Sequence, residues 1–485
     1  MADTWMRRLA RHYEKMRQLY PRDNLIILFD IDGTILDMRY MVLYTLWAYD
    51  RAHGTRYFQK MRPADITVHE NRVAQLLARL NLPPAVQADV SAWYEAQRWS
   101  PEAILQAHQP FGGVLAVIRW FQMQPRTAVG LNTGRPSTLR ASTMRSLNAL
   151  GAAYRVSFSD ELLHMNPGRW EENVAGAKAA GVRYFQELGY RVFAFVDNEP
   201  VNLTAVAQVD PDQEILLLHA DTIFESKRNR LPPRSIGGNR YTLADLIPQH
   251  ALPQHIQLVW HGVNDQANLK QFLTSPIRWA ECDVQPDPSG SELILRHDTF
   301  AERPLFPGEE WLSLEMLLAE IKQHGRHVKL DLKTGGAMTD VLLELLARYD
   351  FTDERLWFNG NVDRLQETHI RRLAAARPGA IIQCPVDFLA PLVCSAPEKA
   401  REVLDMLREW GVNRFSISWQ TENIRRFFDQ MDQWGFAVNI YNVPDLESFL
   451  QAILLMPQSV TADFNFPEWH YYGRGAGRNG RHHQY

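Results

Sequence analysis

Short apolar runs rich in β-formers alternate with stretches of helical period through the first half of the chain. The runs are LIILFD (25–30), TAVGLN (127–132), RVFAFVD (191–197) and EILLLHA (214–220), and helical spacing recurs over 137–149 and 171–188. Strands joined by helical crossovers lie parallel, so this half predicts a Rossmann-like parallel sheet. Between the first two runs the pattern is mostly helical, which predicts a helical cap over about 38–125. In the second half, β-like runs fall near 256–260, 279–283, 328–332, 355–359, 380–384, 414–418, 436–441 and 459–463, most of them followed by a helical segment. That count predicts a (β/α)8 barrel, with a further β-like run at 292–296 as an excursion after the second strand. A turn-rich stretch over 221–252, containing SKRNRLPPRSIGGNR, separates the halves. The expected organisation is therefore α/β throughout, with one domain over 1–248 and a barrel over 249–470. The Gly/Arg-rich, aperiodic segment 471–485 is expected to be a disordered tail.

Composition narrows this picture. Of 485 residues, 46% are hydrophobic and 22% charged, which excludes a disordered or collagen-like chain. With 52 Lys+Arg against 56 Asp+Glu the net charge is -4, so no overall electrostatic footprint favours nucleic acid, although a local patch stays open. The three cysteines, Cys282, Cys384 and Cys394, suit neither a disulfide framework nor a zinc knuckle, and no apolar run reaches membrane-span length. The first twenty residues have an amphipathic helical pattern rather than that of a signal segment, and a cytoplasmic location is expected. Nine of the basic residues are lysines, which gives each more weight. None of this specifies an oligomeric state.

The first chemical cluster begins where LIILFDIDGTILD leaves its strand. Asp30 and Asp32, two apart and followed by Gly33-Thr34, both reach one site if the chain turns there. One carboxylate can attack while the other moves protons. Later segments add Asn132-Thr133-Gly134-Arg135, Lys178 and Asp197-Asn198-Glu199. A hydroxyl and a lysine suit phosphate oxygens, and the acids suit Mg2+. The series resembles the haloacid dehalogenase superfamily of phosphohydrolases over roughly 20–220. The resemblance implies Asp30 as the nucleophile that forms an aspartyl-phosphate and Asp32 as the general acid/base. It further implies Thr133 and Lys178 as phosphate-binding residues, and Asp30, Asp32 and Asp197 as the Mg2+ site. Where the family often places a second acid, this chain has Asn198 and Val201, and Glu199 is the nearby substitute.

The second cluster lies where the barrel strands end. His261 and Asn264 follow the first, Glu281 and Asp283 share a face of the second, His297 and Asp298 follow the excursion, and Asp331 and Lys333 share a face of the third. Carboxylates suit a hard divalent ion, histidines an acid/base pair and lysine a phosphate oxygen. The arrangement resembles the glycerophosphodiester phosphodiesterase-like barrels over about 255–470, nearer the sphingomyelinase D and menorin-like branches. The resemblance implies His261 and His297 as catalysts, Glu281, Asp283 and Asp331 as ligands of Mg2+ or Ca2+, and Lys333 as a phosphate-binding residue. The chain lacks the HRG and PENT forms of glycerophosphodiesterases and has Tyr441 near the place of a late tryptophan.

Together the halves suggest a metal-dependent phosphoesterase acting on a phosphorylated small molecule or a phosphodiester, with a barrel diesterase and a phosphomonoesterase working in sequence. Two alternatives stay open: one domain catalytic and the other a ligand-binding or regulatory module, or a nucleic-acid end-processing enzyme.

Overall fold

The computed structural model describes residues 4–168, 172–222, 230–248 and 251–463. The interval 471–485, expected to be a disordered tail, lies outside the described residues. The chain divides into two compact units, Met1–Pro248 and Gln249–Tyr485.

The first unit is built on six strands: β1 (Asn24–Phe29), β2 (Thr127–Pro136), β3 (Leu163–Asn166), β4 (Tyr190–Asp197), β5 (Leu216–Ala220) and β6 (Ile236–Gly238). They form one sheet in the order β3-β2-β1-β4-β5-β6, all parallel. Such a sheet is covered on both faces, which is why β1 and β4 read as unbroken apolar runs. The progress of the chain reverses beside β1, and ligands of such sheets bind at the carboxyl ends of strands on either side of that reversal. Asp30 follows β1 and Asp197 ends β4 at that place.

Two strands escaped the sequence pattern. β3 is four residues long, and β6 lies within the stretch expected to be a linker. Of the glycines that mark β6 as a turn, Gly238 serves close packing: a Cβ on it would stand 2.3 Å from the Trp5 ring. Of the helices after β1, Met38–His53, Val73–Arg79 and Pro84–Gln97 share a core that includes Leu46, Phe58, Leu77 and Tyr94. Helix Val114–Gln122 instead joins the sheet layer, where Phe121 meets Tyr13 and Phe193.

The second unit is a closed barrel of eight parallel strands: β7 (Gln257–Trp260), β8 (Trp279–Pro286), β11 (His327–Leu332), β12 (Leu356–Asn359), β13 (Ile381–Pro385), β14 (Arg414–Ser418), β15 (Val438–Val443) and β16 (Ser459–Ala462). β16 pairs with β7 and closes the ring. β9 (Leu293–Leu295) and β10 (Leu312–Ser313) form the excursion, added antiparallel outside β8. Val259, Trp279 and Trp357 make an apolar cluster inside the unit, and the Trp357 ring lies under both Lys329 and Arg414.

Candidate active sites

In the first unit, Lys178 joins the acids of the β1 and β4 ends. Its Nζ lies 2.5 Å from Asp30 Oδ1 and 2.9 Å from Asp197 Oδ2, and donates to the Asn132 carbonyl at 2.6 Å. Helix Val174–Glu187 can carry Lys178 this deep because Gly181 lets it approach β2, where Asn132 donates back to the Lys178 carbonyl at 2.8 Å. Asp197 also accepts from the Glu199 amide at 2.8 Å and from the Asn202 side chain. Burial pushes the Asp30 carboxyl up while Lys178 pulls it down, and Asp197 together with Asp30 keeps the Lys178 ammonium protonated against burial. Thr133 is buried on β2 and accepts from the Arg135 amide. Asp30, Lys178 and Asp197 are therefore in direct contact, Thr133 follows Asn132 on β2, and all four are nearly inaccessible.

Asp32 has a different partner. Both its oxygens accept from the fully buried Arg135, Nε at 2.7 Å and Nη2 at 2.6 Å, the paired geometry in which a guanidinium binds a carboxylate most firmly. Arg135 also donates to Thr143, meets His108, and lies over the Trp99 ring. The loop before helix Val73–Arg79 comes down on the same rim: His69 stands 3.5 Å from Glu199 and 3.3 Å from the buried Glu70. Glu199, the substitute for a second acid, thus faces His69 and the Asn198 amide. Asp30, Asp32 and Asp197 do not gather into a three-acid set.

The barrel gathers one. Oxygens of Glu281, Asp283 and Asp331 all lie within 4.8 Å of one another, the one such group among the described residues. Register explains it: Asp331 on β11 stands opposite Asp283 on β8, and Glu281 is two residues earlier on the same face. The trio fits a hard divalent ion, which takes oxygen ligands. Lys333 Nζ lies 2.7 Å from Asp283 and 2.5 Å from Asp331. Asn264 donates to Asp283 and Asn359 to Asp331, each at 2.5 Å, and the Gly262 amide donates to Glu281 at 2.8 Å.

His261 Nδ1 meets Asp463 at 2.5 Å, while its Nε2 faces Glu281 at 3.7 Å. Burial works against the imidazolium, but Glu281 and Asp463 outweigh it and raise its pKa to about 9. His297 Nδ1 meets Asp298 at 2.7 Å. Burial would raise Asp283, yet Lys333, His297 and His261 hold it well below the usual carboxylate range. Burial together with Asp283 raises Glu281. His261, Glu281, Asp283, His297, Asp331 and Lys333 line one cavity of about 410 Å³, along with Asn359, Gln383, Tyr441 and Asp463.

Both expected clusters are thus assembled, Asp32 apart. Asp463, Asp298 and Lys329 complete the barrel site without having been assigned a role in the sequence. Lys329 had a readable signal, since VKLDLK puts it on one face with Asp331 and Lys333. Asp463 follows the last strand in TADFNFPEW, a segment that resembles the closing segment of such barrels, and that was its signal.

No family profile and no curated protein matches this chain. Similar solved structures include a phosphodiesterase from Oleispira antarctica in complex with the product sn-glycerol-3-phosphate, 18% identical over 43% of this chain and 92% of that one, TM-score 0.34. Others are CbbY from Rhodobacter sphaeroides in complex with phosphate (11% identity, 44% and 94% coverage, TM-score 0.29) and a HAD-superfamily hydrolase of subfamily IA from Geobacter sulfurreducens (12% identity, 45% and 92% coverage, TM-score 0.30). At these identities and scores the likeness assigns no residue a role.

Proposed function

We propose that the chain is a phosphoesterase whose barrel cleaves a phosphodiester, and that the observation carrying this is the Glu281–Asp283–Asp331 trio set beside two histidines and a lysine in one cavity. The position supports it, because sites of such barrels lie at the carboxyl ends of the strands. The trio would hold Mg2+ or Ca2+, which when bound supplies charge stabilisation to the phosphate oxygens. His261, kept protonated near neutrality by Glu281 and Asp463, gives a proton to the leaving oxygen. His297, oriented through Nδ1 by Asp298, takes the proton of the attacking hydroxyl. Lys333 neutralises a phosphate oxygen. The kinship with the sphingomyelinase D and menorin-like branches belongs to this reading.

In the first unit Asp30 is the nucleophile towards a phosphomonoester, with Thr133 and Lys178 on the phosphate and Asp197 orienting Lys178. A second reading has this unit bind phosphate without rapid turnover. The Arg135 grip on both oxygens of Asp32 and the burial of Asp30 favour it.

Kinetics on panels of monoesters and diesters with Mg2+, Mn2+ or Ca2+ test both readings. Glu281→Ala and Asp283→Ala are expected to lower diester turnover by about 100-fold or more, and Asp30→Asn to remove monoester turnover while sparing the diester. Full diester turnover in Glu281→Ala refutes the barrel reading. Wild-type protein that binds phosphate yet cleaves no monoester establishes the second reading.

A further inference from the structure

The barrel interior carries a lysine that the two-site reading leaves without a task. Lys329 precedes Asp331 by two residues on β11 and stands opposite Glu281 in the β8–β11 register. Its side chain therefore enters the barrel level with Glu281 and one layer below Asp283 and Asp331. It is 3% exposed, and its Nζ lies 4.9 Å from the centre of the Trp357 ring. An ammonium has three N–H donors, and among the described residues this one makes a single hydrogen bond, to Thr461 Oγ1 at 3.1 Å.

A ring face and a hydroxyl do not balance a buried full charge; buried charges persist beside opposite ones. The opposite charges here are Glu281, directly across from it in the strand register, and Asp331, two residues on along its own strand and on the same face. Lys333 differs in that it touches Asp283 and Asp331 directly, whereas Lys329 makes no direct ion pair with the trio and acts on it through space.

We propose that Lys329 is a positioning residue whose fixed charge keeps the buried carboxylates gathered, and that the same charge holds the affinity of the trio for a divalent cation below what three carboxylates alone would give. The inference rests on the barrel being a divalent-cation phosphodiesterase. Both effects have one cause. A cation that attracts Glu281 and Asp331 repels another cation placed among them, and the repulsion persists in a water-poor interior.

The test is a calorimetric Mg2+ titration of the full chain at pH 7, with thermal unfolding in the absence and presence of the ion, on wild type, Lys329→Met, Lys329→Gln and Lys329→Arg. The Met and Gln variants are expected to bind Mg2+ about tenfold more tightly. They unfold at a lower temperature without the ion and gain more from adding it than wild type does. The Arg variant, which keeps the charge, keeps wild-type affinity. A packing role would lower stability equally with and without Mg2+, so unchanged or weaker binding in both neutral variants overturns the proposal. Failure of both to fold in excess Mg2+ overturns it as well, and makes Lys329 a structural element. Wild-type protein that binds none of Mg2+, Mn2+ and Ca2+ overturns the metal reading itself, an outcome distinct from the others.

Discussion

A guanidinium with no exposed surface must direct its donors to partners inside the protein, and Arg135 directs them to Asp32, Thr143 and His108. The consequence reaches His108. Burial, then the neighbouring Arg135 charge, pull its pKa down to about 3, so the folded protein keeps it neutral, with Nδ1 on Ser146 at 2.7 Å. In the unfolded chain a histidine titrates near 6.5. Between those values the unfolded state binds the extra proton. The stability that neutral His108 contributes is therefore complete above pH 6.5 and lost as pH falls towards 3. One proton corresponds to about 1.4 kcal/mol per pH unit, so wild type should lose roughly 2–3 kcal/mol more than His108→Gln between pH 6.5 and pH 4.5. Denaturant unfolding of both proteins at the two pH values measures the difference; parallel losses would mean that His108 is already charged in the folded state.

Between strands and helices, legibility followed burial. All eight barrel strands could be read because each is a short apolar run bounded by turn residues, and Arg414–Ser418 ran over the expected interval without a shift. Asp283, Asp331 and Lys333 could be placed together because alternation along two strands determines which side chains share a face. β6 could not be read, because its two glycines carry a turn signal in sequence, whereas in the fold Gly238 packs against Trp5. Nor could the pairing of Asp32 with Arg135, which joins the β1 end to β2 across a long loop and leaves no local pattern. For Lys329 alternation gives the face it shares with Asp331 and Lys333 but not its depth of burial, which depends on the closed barrel.

Gly181 is a similar case. It sits within a helix, where Ala would ordinarily be favoured by about 1 kcal/mol. Its added Cβ would stand 2.4 Å from Asn132 Oδ1. Overpacking of this kind costs about 1–3 kcal/mol, so Gly181→Ala is expected to lower the melting temperature and, by displacing Asn132, to weaken phosphate binding at Lys178. Calorimetry with a phosphate titration checks it, and a raised melting temperature would show that the helix shifts without strain.

Across the whole chain, each unit contains a chemical cluster drawn wholly from its own strands and helices. The two differ in how their sheets are completed. The sheet of the first unit ends at β6, laid on as a terminal edge, whereas the barrel is completed only when β16 pairs with both β15 and β7. Order of synthesis turns this into a biogenesis problem. Once residue 248 has left the ribosome the first unit has its full complement of strands and is able to fold while translation continues. The barrel strands, made next, wait with Gln257–Trp260 and then Val438–Val443 as open parallel edges until Ser459–Ala462 emerges. Such edges template pairing between chains. Nascent chains stalled at Pro457 are therefore expected to show a protease-resistant first unit beside a protease-sensitive, chaperone-bound barrel. In full-length chains released from the ribosome the barrel should resist proteolysis as the first unit does, which makes the pairing of the last four-residue strand the step that frees the barrel from a chaperone.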